Sequence, residues 1–146
     1  MSVDPTKTKY HNLYWDIARA AADMSTANRN KVGCVIVAPS GMIAIGYNGM
    51  PAGYKFGNSC EFTDLTTGEL VTRPETIHAE RNAIDKMTRQ GVSTAGSVMF
   101  TTMAPCLECA KSIQGLGFKH VYYREVYRND NGLSFLKRAG IPVTGY

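Results

Sequence analysis

No part of this 146-residue sequence stays apolar for the roughly 18 positions that a membrane-spanning helix needs, and no charged-then-apolar leader opens it. Both absences predict a cytoplasmic protein, in a host's cytoplasm if its source is viral, with no membrane partner. Internal repeats and low-complexity tracts are missing too, which excludes solenoids and disordered arrays. Charge is sparse: 19% of residues are Asp, Glu, Lys or Arg, and the net charge of +4 comes without a dense basic tract. A nucleic-acid partner, which needs a sustained basic stripe, is therefore not expected.

What remains is the composition of a globular protein, 44% apolar and long enough for one sizeable core, so residues 1–146 are read as a single domain. Apolar positions Leu13, Ile17, Ala20, Ala21 and Met24 recur at helical spacing and predict an amphipathic helix over residues 11–27, after a loose polar lead-in. Two β-branched runs, residues 32–38 and 42–47, flank Pro39-Ser40-Gly41 and read as a β-hairpin. A burst of turn residues begins at Gly46, and no periodicity returns before about Glu75, although residues 66–72 can form a minor hairpin. So long a loop in a compact domain is usually a lid or a binding loop.

A helix is predicted from His78, capped by Thr76, with Ala79, Ala83, Ile84 and Met87 on its inner face. A strand follows at residues 97–102, then a helix opened by Pro105 with Cys109, Ala110, Ile113 and Leu116 as its buried stripe. Next come a strand at residues 121–123, a short helix at residues 133–139 and the segment 141–143. Strand, helix, strand between Ser97 and Tyr123 requires a right-handed crossover and hence a parallel pair.

The four cysteines stay thiols in a reducing compartment. Cys34 falls in a buried strand and reads as core. Cys60, in the irregular loop, reads as a surface thiol in preference to a ligand of a second metal. Cys106 and Cys109 form a C-x-x-C pair, which alone could be a redox couple, and His78-Ala79-Glu80 alone is weak. Together they supply one imidazole, two thiols and an adjacent acid, each group at a predicted helix start.

A structural zinc knot closes with four Cys or His ligands, whereas three ligands and an open position define a catalytic zinc site. His78, Cys106 and Cys109 are thus the candidate Zn²⁺ ligands, and Glu80 is the candidate proton shuttle. Helix N-termini favour thiolate at both cysteines. Arg29-Asn30-Lys31 is the densest basic cluster; it suits a small anion such as phosphate, or forms a solvated turn.

These residues carry a resemblance. His78-Ala79-Glu80-Arg81-Asn82-Ala83-Ile84 and Pro105-Cys106-Leu107-Glu108-Cys109-Ala110-Lys111 resemble the zinc-dependent cytidine deaminase superfamily. Lys31-Val32-Gly33 and the segment Gly46-Tyr47-Asn48-Gly49-Met50-Pro51-Ala52-Gly53 narrow the likeness to its deoxycytidylate deaminases. The resemblance implies a three-layer α/β/α fold, with a central mixed sheet of about five strands and a parallel pair at the zinc-bearing end. It implies hydrolysis of dCMP to dUMP and ammonia, by water activated on zinc adding at cytosine C4 with Glu80 moving the protons.

It further implies that Asn48 holds the deoxyribose, that the backbone of Ala79 and residues 101–104 meets the base, and that Tyr127 closes near the phosphate. Arg29 and Lys31 join these as candidate substrate contacts. Members of this kind are homohexamers controlled by dCTP and dTTP, with Mg²⁺ on the triphosphate, and the likeness extends that effector site to Tyr47, Asn48 and Gly49. The sequence departs from the pattern in lacking a cysteine just before Lys31, so the second zinc of some relatives has no evident ligand set. Its loop over residues 56–76 is its own.

Overall fold

The computed structural model describes residues 7–54, 59–126 and 128–146. Strands β1 (Gly33–Val37) and β2 (Ile43–Tyr47) form the expected hairpin, and helix α1 (Thr8–Asp23) precedes it. The next strands are β3 (Glu61–Thr63) and β4 (Leu70–Thr72), followed by helix α2 (Ala79–Arg89). Strand β5 (Val98–Met103), helix α3 (Leu107–Gly115), strand β6 (His120–Glu125), helix α4 (Asn131–Arg138) and strand β7 (Val143–Gly145) complete the order.

The main sheet has five strands in the order β2-β1-β5-β6-β7, as expected of a cytidine deaminase-like fold. β1 runs antiparallel to both neighbours, and β5, β6 and β7 run parallel. Two parallel junctions therefore occur where the sequence suggested one pair, each spanned by a helix as a parallel connection requires. The pairing Cys34↔Thr101 brings the C-terminal end of β5 beside the start of β1.

Alternation along the strands builds two cores. Cys34, Ile36, Met99 and Val121 meet α2, α3 and α4 through Ala83, Met87, Ala110, Ile113 and Leu136. Val35, Val37, Val98, Phe100 and Tyr122 meet α1 through Tyr14, Trp15 and Ala18. One helix thus covers one face and three cover the other, giving the three layers.

Several local expectations change. α1 stops at Asp23 and buries His11, Tyr14, Trp15, Ala18, Ala21 and Ala22, leaving Leu13 48% and Met24 63% exposed. The cause is Gly33: a Cβ there would stand 1.9 Å from the Ala18 carbonyl oxygen, so the backbones touch along the Ala18–Ala22 face and the Leu13 stripe rotates outward. Leu116 lies past the end of α3 at the surface instead of within its stripe.

Thr76 does not cap α2; its hydroxyl donates to the Cys60 carbonyl at 3.2 Å, and His78 occupies the cap position. The minor hairpin is wider than residues 66–72, because Glu61–Thr63 supplies its first strand. Cys60 is fully buried beside that hairpin, with its sulfur 3.5 Å from Thr26 Oγ1, and is not a surface thiol. Cys34 is core, as expected. Among the described residues no helix is long and apolar enough to cross a membrane.

Candidate metal and catalytic site

Two helix starts meet at the site. His78 is the N-cap residue of α2 and Cys106 that of α3, with Cys109 in the first turn of α3. β5 runs into this second start through Ala104, whose amide donates to the Glu125 carbonyl at 2.7 Å. His78 Nδ1 stands 3.6 Å from Cys106 Sγ and 3.5 Å from Cys109 Sγ, and the three donor atoms lie within 4.8 Å of one another.

A tetrahedral Zn²⁺ with bonds of about 2.05 Å to nitrogen and about 2.3 Å to sulfur requires N···S separations of about 3.6 Å. The donor set fits that ion in chemistry and in spacing. It is also the only group of three or more His, Cys, Asp or Glu donors so placed among the described residues.

The electrostatics point the same way. A hydrogen bond from the Cys109 thiol, together with the His78 ring, brings Cys106 down to about 3, while the bond to Cys106 raises Cys109 well above its ordinary value. These opposite shifts describe one proton shared by two thiols: the first leaves easily and the second resists leaving a pair of adjacent negative charges. A dication removes that resistance. His78 is raised, chiefly by its bond to Cys106.

Glu80 is 4% exposed, in the first turn of α2, and burial raises its carboxyl above the usual carboxylate value. Its Oε1 lies 3.1 Å from Thr101 Oγ1, whose hydroxyl is also 2.7 Å from the Met103 carbonyl oxygen. A carboxyl so held gives up its proton less readily than an exposed one, which suits it to acid and base work.

A cleft of about 540 Å³ opens onto these groups and includes His78, Ala79, Glu80 and Cys106 in its lining. Asn48 and Arg29 line it as expected, whereas Lys31 is exposed and is not among the lining residues. Asn48 is already engaged: its Oδ1 accepts the Val32 amide at 2.9 Å, and its Nδ2 donates to the Asn30 carbonyl at 2.7 Å. One amide hydrogen and one lone pair remain for a ligand.

Tyr47 and Gly49 lie outside the lining; the Tyr47 ring has Lys86 Nζ 5.7 Å from its centroid, and Gly49 pairs with Ile77 just before His78. Tyr127 lies outside the described residues. The sequence reading missed Glu61, Thr72, Arg128 and Asn129, all in the lining. They come from an irregular hairpin and a turn, where no periodicity marks them.

A three-layer fold that gathers one imidazole and two thiols at two helix starts, with a buried carboxyl beside them in a shared cleft with His78 and Cys106, defines a cytidine deaminase-like zinc protein. The chain belongs to the family described as the cytidine and deoxycytidylate deaminase zinc-binding region, whose sequence model matches residues 8–125. It is 40% identical over 121 residues to ComE operon protein 2 of Bacillus subtilis, covering 82% of this chain and 61% of that one.

It is 32% identical over 146 residues to the deoxycytidylate deaminase of Schizosaccharomyces pombe, covering 96% of this chain and 45% of that one. It therefore spans less than two thirds of the length of these two relatives. A crystal structure of dCMP deaminase from the cyanophage S-TIM5, in complex with dCMP and dUMP, superposes with a TM-score of 0.86 at 37% identity. That match covers 97% of this chain and 99% of the phage chain.

Proposed function

We propose that this chain hydrolyses dCMP to dUMP and ammonia, in the cytoplasm, as a step in the supply of pyrimidine deoxynucleotides. The observation that carries the reading is Glu80, a buried carboxyl lining the same cleft as His78 and Cys106. The phage enzyme solved with dCMP and dUMP, which this chain matches over almost its whole length, supports the choice of nucleotide.

His78, Cys106 and Cys109 would hold zinc, which would supply the Lewis acidity that makes hydroxide available near neutral pH. Glu80 takes a proton from the incoming water and places it on N3 of the cytosine as the C4–O bond forms. It then carries the second proton to the exocyclic nitrogen, the C4–N bond breaks, and ammonia departs, leaving the carbonyl of uracil. Thr101 keeps the carboxyl aimed. Asn48 meets the deoxyribose with its remaining amide hydrogen and lone pair, and the Ala79 N–H and residues 101–104 meet the base. Arg29 and Tyr127 serve the phosphate, with Lys31 adding positive charge from outside the cleft.

The same reading makes the active form a homohexamer regulated by dCTP and dTTP with Mg²⁺, through the loop bearing Tyr47, Asn48 and Gly49. Sedimentation at six times the chain mass and a dCTP-dependent fall in KM test those two parts. The chemistry is tested by Glu80→Gln, assayed by ammonia release and metal content. Zinc is expected to stay stoichiometric while kcat falls by about 10²-fold or more. Near-normal deamination with intact metal would overturn the assignment of Glu80.

A further inference from the structure

The β3–β4 hairpin has no part in the chemistry above, yet it reaches the cleft through Glu61, Val71 and Thr72, of which Glu61 and Thr72 are a cross-strand pair. Glu61 is 4% exposed and its carboxylate is fully engaged. The Asn28 amide donates to both of its oxygens, at 3.0 and 3.1 Å, and the Arg29 amide donates to Oε1 at 3.2 Å. Directly across the hairpin, Thr72 Oγ1 accepts from Arg29 Nη1 at 3.5 Å. One strand pair therefore holds both the backbone and the guanidinium of the same arginine.

The far end of that segment is fixed as well, since Asn48 binds Asn30 and Val32. Residues 28–32 are in effect a strap fastened at each end, with Arg29 and Asn30 facing the cleft between the fastenings.

Two arginines line the cleft, Arg29 and Arg128, and they come from separate parts of the chain. The backbone amides of Asn28 and Arg29 would otherwise form an anion-binding concavity, but Glu61 already occupies them. A negative charge on a ligand must then be met by side chains, and a buried carboxylate nearby makes their placement decisive. Arginine suits such a contact because its planar fork can meet two phosphate oxygens at once, provided it is held in the right orientation.

Resting on the deaminase reading, we infer that Glu61 is a positioning residue that, with Thr72, sets Arg29 against the substrate's 5′-phosphate and so makes the enzyme prefer the nucleotide to the nucleoside. Val71, the hairpin's other lining residue, is apolar and offers a phosphate nothing.

The test measures ammonia release from dCMP and from deoxycytidine for the wild type, Glu61→Gln, Arg29→Ala and the double variant. The readout is the ratio of kcat/KM values for the two substrates. Each single variant should lower that ratio about tenfold or more, mainly through KM for dCMP, and the double variant should be no worse than Arg29→Ala. Damage to the fold or the metal site lowers both substrates alike and leaves the ratio where it was.

A ratio within about twofold of the wild type in Glu61→Gln, or losses that simply add, overturns the inference. Should Glu61→Gln not fold, the exposed Thr72→Val takes its place and must shift the ratio in the same direction. A wild type that deaminates neither compound overturns the functional reading and this inference together. A wild type that prefers dCMP, with variants that keep the preference, overturns this inference alone.

Discussion

Thr101 has one hydroxyl hydrogen and two oxygens competing for it, the Met103 carbonyl at 2.7 Å and Glu80 Oε1 at 3.1 Å. The hydroxyl can donate to either, and when it donates to Glu80 it favours the ionised carboxylate against the burial that raises its pKa. Thr101→Val keeps the shape and removes that hydroxyl, so it should lower kcat about tenfold with zinc content unchanged. Steady-state kinetics beside metal analysis checks this, and an unaltered kcat would reduce Thr101 to packing. On the opposite face His120 stacks on Tyr122 at 4.1 Å and shares a hydrogen bond with Thr144 Oγ1 at 2.8 Å. Burial, then the neighbouring His11 and Lys119, lower its pKa. The folded value lies below the unfolded one, so the neutral ring's contribution to stability is present above about pH 6.5 and is lost as pH falls through the folded value. An NMR titration of the His120 ring should give a midpoint below about 6.5, and a midpoint above it would contradict the sign.

The height of α2 above the sheet is set by Gly46. A Cβ on Gly46 would stand 2.2 Å from the Ala79 carbonyl oxygen and 2.6 Å from the Ala83 nitrogen, and Ala79 sits between His78 and Glu80. The same helix covers the outer edge of β2: Asn82 Nδ2 donates to the Tyr47 carbonyl and Lys86 Nζ to that of Ile45, each at 2.7 Å. Gly46→Ala must lift the N-terminus of α2 and should cost about 1–3 kcal/mol while also lowering zinc occupancy. Gly33→Ala, against α1 on the other face, should cost a similar amount and leave the metal in place. Urea unfolding with metal analysis separates the two, and equal zinc content in both variants would show that α2 does not gauge the site. These contacts also mark the limit of what the sequence discloses. His78, Glu80, Cys106 and Cys109 are legible because short spacing at two helix starts is local information. The β1–β2 hairpin and the β5–α3–β6 crossover are legible from β-branched runs and helical periodicity. The buried face of α1 is not, because two apolar stripes compete along it and only the contact with Gly33 decides between them. Glu61 is hidden for the same reason: its value lies in reaching Asn28 and Arg29, 33 and 32 residues away in the chain.

For the molecule as a whole, the metal site is a tie across a structure that has its own core. Neither hydrophobic cluster includes His78, Cys106 or Cys109, and α2, α3 and α4 are all anchored to the sheet through other residues. Zinc held by donors from two helices should therefore add to stability by linkage without being a condition for folding, unlike the ion of a zinc finger, which forms the fold itself. With metal about a thousandfold above its dissociation constant the gain is about 4 kcal/mol, or on the order of 10 °C in Tm for a chain of this size. Chelation should accordingly lower Tm by about that much, abolish turnover, and leave the far-ultraviolet circular dichroism at about 20 °C nearly unchanged, with Tm and activity both recovering when zinc is returned. Loss of the secondary-structure signal on chelation would make the ion a folding element, and an unmoved Tm would mean that these three side chains do not hold it. Either result would break the link between the donor cluster and the deaminase reading, because that link requires a formed cleft and a resident ion independently supplied to it.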